Sequence, residues 1–169
     1  MTVARECPPD IVDALIQVEQ RDQGCWRLKK YLGSMLTFDF GGRRPVRTLR
    51  GTEVELGSST MSIRDVYWTF KSPAGSSVDS DSVSDEDVRD LDQRLLGATL
   101  AGFARDDEDY VFSFSNGIEL RIDRTNIYEE TPDETIALLQ LAGGLQLNLL
   151  TDGRILLDVE ESVREKAAA

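Results

Sequence analysis

A chain of 169 residues, 40% of them hydrophobic and 30% charged, has the composition of a globular protein long enough to bury a core of its own. It has no histidine and only two cysteines, Cys7 and Cys25, which argues against an imidazole base, Ser-His and Cys-His nucleophile pairs, most transition-metal sites and a disulfide framework. The net charge of −12 disfavours nucleic acid and anionic membrane as partners. No apolar run approaches the ~20 residues of a membrane span, and Met1 to Asp10 lacks the apolar stretch of a signal peptide, so a cytoplasmic location is expected.

Asp10 followed by Ile11, Ala14, Leu15 and Val18 gives helical apolar spacing and predicts a helix over 10–21, with Asp10 as N-cap and Gly24 as a left-handed terminator. From Cys25 the period changes to two. Trp26 and Leu28, then Leu36, Phe38 and Phe40, predict two strands broken or bulged near Gly33-Ser34. Gly41 to Pro45 reads as a turn. Alternation resumes through Val54, Leu56, Met61 and Ile63, slips at Arg64-Asp65, where a bulge is expected, and continues through Val66, Trp68 and Phe70, with Trp68 as a core anchor.

Residues 71–84, rich in Ser, Gly and Asp, predict a mobile loop. Ser84-Asp85-Glu86-Asp87 has the form of a capping box, and Val88, Leu91 and Leu95 continue it into a helix over 85–96 closed by Gly97. A strand over 98–104 and an acidic turn over 106–109 lead into the clearest pattern of all. Tyr110 to Phe114 and Ile118 to Ile122 alternate about Asn116-Gly117, a hairpin with Phe112, Phe114, Ile118, Leu120 and Ile122 turned to the core and a two-residue type I′ turn. Asn126 to Asp133 is irregular. Residues 134–142 are open between helix and strand, but Gly143-Gly144 and Asp152-Gly153 predict two further hairpins in a meander, followed by a frayed tail over 160–169.

Together these elements predict one mainly β (α+β) domain over 1–169. Its antiparallel sheet, β-sandwich or open barrel would have about eight to ten strands, lying between 25 and 70 and between 98 and 159, with two short helices.

Charge is divided unevenly. Residues 1–71 carry 11 Lys/Arg against 9 Asp/Glu, whereas residues 72–169 carry 8 against 22. Asp79, Asp81, Asp85, Glu86 and Asp87 form one acidic group, and Asp106, Asp107, Glu108 and Asp109 a second. An EF-hand beginning at Asp79 fails, because Val83 and Ser84 stand at the fifth and sixth loop positions where a ligand and glycine are required. Both groups are read as a surface for a basic protein partner. Arg43, Arg44, Arg47 and Arg50 form a basic patch without the interleaved aromatics of a single-strand binder, and neither Gly-Gly pair opens a P-loop. No catalytic residue, metal ligand or cofactor site is assigned.

The run Gly33-Ser34-Met35-Leu36-Thr37-Phe38-Asp39-Phe40-Gly41, the strand Met61-Ser62-Ile63 leading to Trp68, Tyr110 to Phe114 and the late Asp152-Gly153 hairpin resemble a family of small bacterial β-rich proteins of uncharacterised activity. They share a GSxLxFxFG segment, a strand ending in Trp and a late DG hairpin. The resemblance spans roughly residues 26–159 and implies a common β-rich fold, with no catalytic residues to carry over. The composition also resembles immunity proteins of contact-dependent toxin systems. The function expected is a non-enzymatic protein-binding module, an immunity- or antitoxin-like inhibitor of a basic toxin. Two alternatives stand beside it: an assembly subunit of a larger bacterial complex, self-association included, and a Mg-dependent carboxylate hydrolase.

Overall fold

The structure, a computed structural model, describes residues 4–129 and 134–159. The predicted irregular segment falls partly, and the predicted tail wholly, outside them. Two antiparallel sheets carry the chain. Sheet A has the order β1 (Arg5–Glu6), β12 (Ile155–Val159), β11 (Leu145–Leu150), β10 (Thr135–Gln140), β4 (Glu53–Ile63), β3 (Leu36–Arg47), β2 (Cys25–Lys30). Sheet B has the order β6 (Ser77–Asp79), β5 (Val66–Lys71), β9 (Glu119–Ile127), β8 (Asp109–Phe114), β7 (Leu100–Asp106). Among the described residues the fold is mainly β with two helices and no closed barrel, as expected. The strands beyond the expected number include the two-residue β1 and the three-residue β6.

One apolar core joins the sheets. Phe38 of sheet A meets Phe70 and Phe114 of sheet B at ring-centroid distances of 6.2 and 6.1 Å, and Trp68 is fully buried with its indole N–H donating to the Ser34 carbonyl at 2.7 Å. Phe112, Phe114, Ile118, Leu120 and Ile122 are all buried, so the alternation read from 110–122 selects the core face correctly. Val111, on the opposite face, is buried as well.

Helix α1 (Pro9–Glu19) starts one residue before the predicted position. Its N-cap is Pro8, with no side-chain cap, because Asp10 already lies in the first turn; its C-cap is Gln20, and Gly24 does not adopt the left-handed conformation. Asp13 fastens α1 to β7 by accepting the Phe103 N–H at 2.8 Å. Helix α2 (Asp85–Leu95) has the predicted capping box, Ser84 and Asp87 each accepting the other's N–H, and Gly97 follows it at φ 82°. Asp92 of α2 accepts the Leu28 N–H at 2.7 Å, which holds the helix to β2.

The turn predicted at Gly41–Pro45 is strand. Gly41, at φ 73°, and Gly42 form a bulge between Phe40↔Ser59 and Arg43↔Gly57, after which β3 and β4 pair on to Arg47↔Glu53. Pro45 is tolerated there for a definite reason. Counting back from the Thr48 N–H to Thr52 C=O bond, Pro45 and Glu55 form a non-hydrogen-bonded pair, so the N–H that proline lacks would have pointed away from β4. Among the described residues no strand lies on that side, since β2 pairs with β3 only as far as Phe40.

The expected bulge at Arg64-Asp65 is instead the point where the chain leaves sheet A for sheet B, with Asp65 at φ 58°. The segment read as a loop over 71–84 contains β6. The two-residue turns are also corrected. The loop after Phe114 is Ser115-Asn116-Gly117, closed by the Phe114 N–H to Ile118 C=O bond, and only Gly117 has positive φ. The same three-residue loop recurs at Leu49-Arg50-Gly51, Pro73-Ala74-Gly75, Ala142-Gly143-Gly144 and Thr151-Asp152-Gly153, each ending in a glycine at φ between 80° and 91°. A type I turn followed by a left-handed residue suits the strand twist, and glycine occupies that conformation without Cβ strain. Of residues 134–142, left open above, Thr135–Gln140 form strand β10, and the predicted meander forms from β10, β11 and β12.

Candidate docking groove

The fold separates the acidic residues singled out above into three kinds. Asp79 organises its own loop, accepting the N–H groups of Asp81 and Ser82, each at 2.9 Å, and the Ser82 hydroxyl. Desolvation raises its carboxyl, but these donors and the Tyr67 hydroxyl outweigh it and hold the pKa below its ordinary value. Asp87 belongs to the capping box. Asp106 and Asp109 are paired at 3.3 and 3.1 Å with Arg121, which also holds Glu119 at 2.6 Å. That guanidinium is kept firmly protonated, first by the Glu119 hydrogen bond. The Asp107 carbonyl is tied to Arg124 at 3.2 Å and the Glu108 carboxylate to the Thr125 hydroxyl at 3.4 Å. Asp81, Asp85 and Glu86 form the third kind: exposed, and in no ion pair with any described Lys or Arg.

Asp87 lines a smaller pocket against β5 and β6, and Asp81 enters the larger groove described next. A groove of about 520 Å³ opens where the β2–β3 turn, the crossing at Asp65, the end of β6 and the end of β9 converge. Leu32, Ser34, Asp65, Ser80, Asp81, Tyr128 and Glu129 line it. The Tyr128 hydroxyl bonds the Asp81 carboxylate and lies 2.9 Å from the Ser80 hydroxyl. Burial, then the neighbouring carboxylate, push that phenol above its ordinary pKa. Leu32 at the turn tip is 98% exposed and Tyr128 is 43% exposed, an apolar rim with nothing packed on it among the described residues. Ser34 is more than nine-tenths buried, and its hydroxyl has no hydrogen-bond partner among the described residues.

Sequence patterning cannot assemble this site, because its walls come from four segments spread between positions 32 and 129. Leu32 carried one local signal, an exposed-prone turn position filled by an apolar residue. Asp65 carried another, the phase slip. Tyr128 and Glu129 carried none.

Of the arginine patch, Arg43, Arg44 and Arg47 lie in the extended β3–β4 ribbon rather than a turn, and Arg50 lies in the loop that closes it. At its root Asp39, buried to 3% exposure, accepts from the Arg27 guanidinium and the Gly57 N–H, both at 2.8 Å, restoring partners where the bulge interrupts the ladder. The Arg27 and Arg43 guanidiniums lie 4.8 and 4.4 Å from the Trp26 ring centroid. Both cysteines are buried free thiols, and desolvation raises the pKa of each, that of Cys25 to about 12.

Among the described residues, no group of three or more Cys, Asp or Glu side chains is arranged to hold a metal ion, and no helix is long and apolar enough to cross a membrane. A scan against protein-family models and a search of the curated proteins return no match to the chain.

Proposed function

We propose that the protein is a non-enzymatic docking module that receives a basic segment of a partner protein in the groove beside Leu32 and Tyr128, as an immunity- or antitoxin-like inhibitor does. The observation that carries this reading is the pairing of two chemistries in one concavity. Asp65, Asp81 and Glu129 supply negative charge, while Leu32 and Tyr128 supply exposed apolar surface. A lysine or arginine with an apolar neighbour satisfies both at once, and the excess negative charge of residues 72–169 steers such a segment toward the site.

The test uses a labelled peptide of alternating arginine and leucine, its binding followed by fluorescence anisotropy across a salt series. Asp81→Lys with Glu129→Lys should weaken binding tenfold or more, and the wild-type association rate should fall steeply with salt while dissociation changes little. Wild-type affinity in the double variant would overturn the assignment. Asp79 and Asp87 are unsuitable targets, since each also organises local backbone.

The assembly reading has a specific observation in its favour. Beyond the bulge at Gly41, the β3–β4 ribbon has no further strand on either side among the described residues: β2 stops pairing at Phe40, and β10 pairs with β4 only over Thr60–Ile63.

A further inference from the structure

The ribbon and the groove are complementary, and their placement determines how they can meet. Beyond the bulge, Arg43 to Arg47 pair with Gly57 to Glu53, and Leu49-Arg50-Gly51 closes the end. Five residues of strand at about 3.3 Å each carry this arm roughly 17 Å past the last β2 pairing. Leu49 at its tip is fully exposed, and Arg47 and Arg50 beside it are in no ion pair among the described residues. Strand alternation places Val46 and Val54 opposite one another on one face of the arm, with Leu56 on the same face. An exposed leucine flanked by two free arginines is the chemistry that the groove's apolar rim and three carboxylates would accept.

The two surfaces cannot meet within one chain. The groove adjoins the Leu36 end of β3 and the Ile63 end of β4, while the arm is the opposite end of the same hairpin. Twelve residues of extended strand separate those ends by roughly 40 Å. We infer that the arm tip of a second copy occupies the groove and that the exchange is reciprocal: two chains lie antiparallel about a two-fold axis, each placing Leu49, Arg47 and Arg50 against the other's Leu32, Asp81 and Glu129. This inference rests on the reading of the groove as a site for a basic segment, and it identifies that segment's source as a second copy of the chain.

Sedimentation analysis at low salt should show a dimer whose dissociation constant rises with added salt. Arg47→Glu with Arg50→Glu makes the arm acidic against an acidic groove, and Asp81→Lys with Glu129→Lys makes the groove basic against a basic arm. Each variant alone should dimerise at least tenfold more weakly. Mixed in equal amounts they should re-form a heterodimer, because both exchanged contacts then pair opposite charges. All four substitutions are at exposed positions, and unchanged melting curves would verify that each chain folds. A wild-type chain that stays monomeric at about 100 µM, well above the concentrations at which specific dimers form, would overturn the inference, as would a mixture that fails to associate. The arginine-leucine peptide separates the two failures. A monomer that binds the peptide through Asp81 and Glu129 keeps the docking groove and loses the second copy; a monomer that ignores the peptide loses both.

Discussion

Asp106 and Asp109 flank a two-residue turn and share the guanidinium of Arg121, whereas Asp85 and Glu86 stand at the start of α2 in no ion pair with any described cation. The two stretches are alike in composition. What separates them is the strand beside each. At the turn, β9 runs alongside β8 and brings in Arg121 and Arg124; at the start of α2, the nearest organising groups are the helix's own N–H groups. Carboxylates paired by a neighbouring strand contribute to holding the sheet. Those left at a helix start contribute a modest interaction with the helix dipole and remain available to a partner.

The largest effect should appear at the paired end of the molecule. Tyr110 is fully buried with its hydroxyl donating to the Leu150 carbonyl at 2.6 Å, and desolvation, the leading cause, raises its pKa from 10.0 to about 12. Because the folded pKa is raised, this contribution is fully present below pH 10 and is lost as pH rises toward 12, where the unfolded chain ionises first. The loss should be about 3 kcal/mol. Urea denaturation at intervals across that window should show it, and Tyr110→Phe should flatten the slope while lowering stability near neutrality by about 1 kcal/mol.

Next comes Arg121→Ala, which leaves Glu119, Asp106 and Asp109 close together without their shared cation. Its partly exposed pairs are each worth little, but three of them and the resulting like-charge crowding should together cost roughly 1–2 kcal/mol, read as a lower urea midpoint. Ser84→Ala removes the acceptor for the Asp87 N–H and should cost about 1 kcal/mol. The smallest effect belongs to Asp85→Lys with Glu86→Lys, where only the helix-dipole contribution is at stake and a change of roughly 0.5–1 kcal/mol is expected. A cost for this last pair equal to that of Arg121→Ala would erase the distinction between the two acidic regions.

The strand framework was legible wherever local alternation and a single glycine carried the information. Phe112 to Ile122 declared their buried face, and the Ser84 capping box declared the start of α2. Turn geometry was less legible, because a dipeptide such as Asn116-Gly117 suits both a two-residue and a three-residue loop; the register of the flanking strands decides between them. Gly41 to Pro45 misled for a related reason. Two glycines and a proline mark a turn when strands lie on both sides, but at an open edge proline loses no ladder bond. The groove was hardly legible at all, since only Asp81 among its lining residues stood out in the acidic list.

The pairing order has a mechanical consequence. Most neighbouring strands within each sheet are also neighbours in sequence and are joined by short turns. The internal exceptions are β4 with β10, matched from Thr60↔Gln140 to Ile63↔Ala137, and β5 with β9, matched from Val66↔Ile127 to Lys71↔Glu119. Both of these seams belong to one continuous stretch of chain, residues 53–71, bent once at Asp65. Displacement of one seam is therefore passed directly to the other along the backbone through Asp65. The hairpins on either side can form from local contacts, but the two halves of each sheet come into alignment only when this stretch is in place, so the protection of its amides against solvent exchange should rise and fall as one unit.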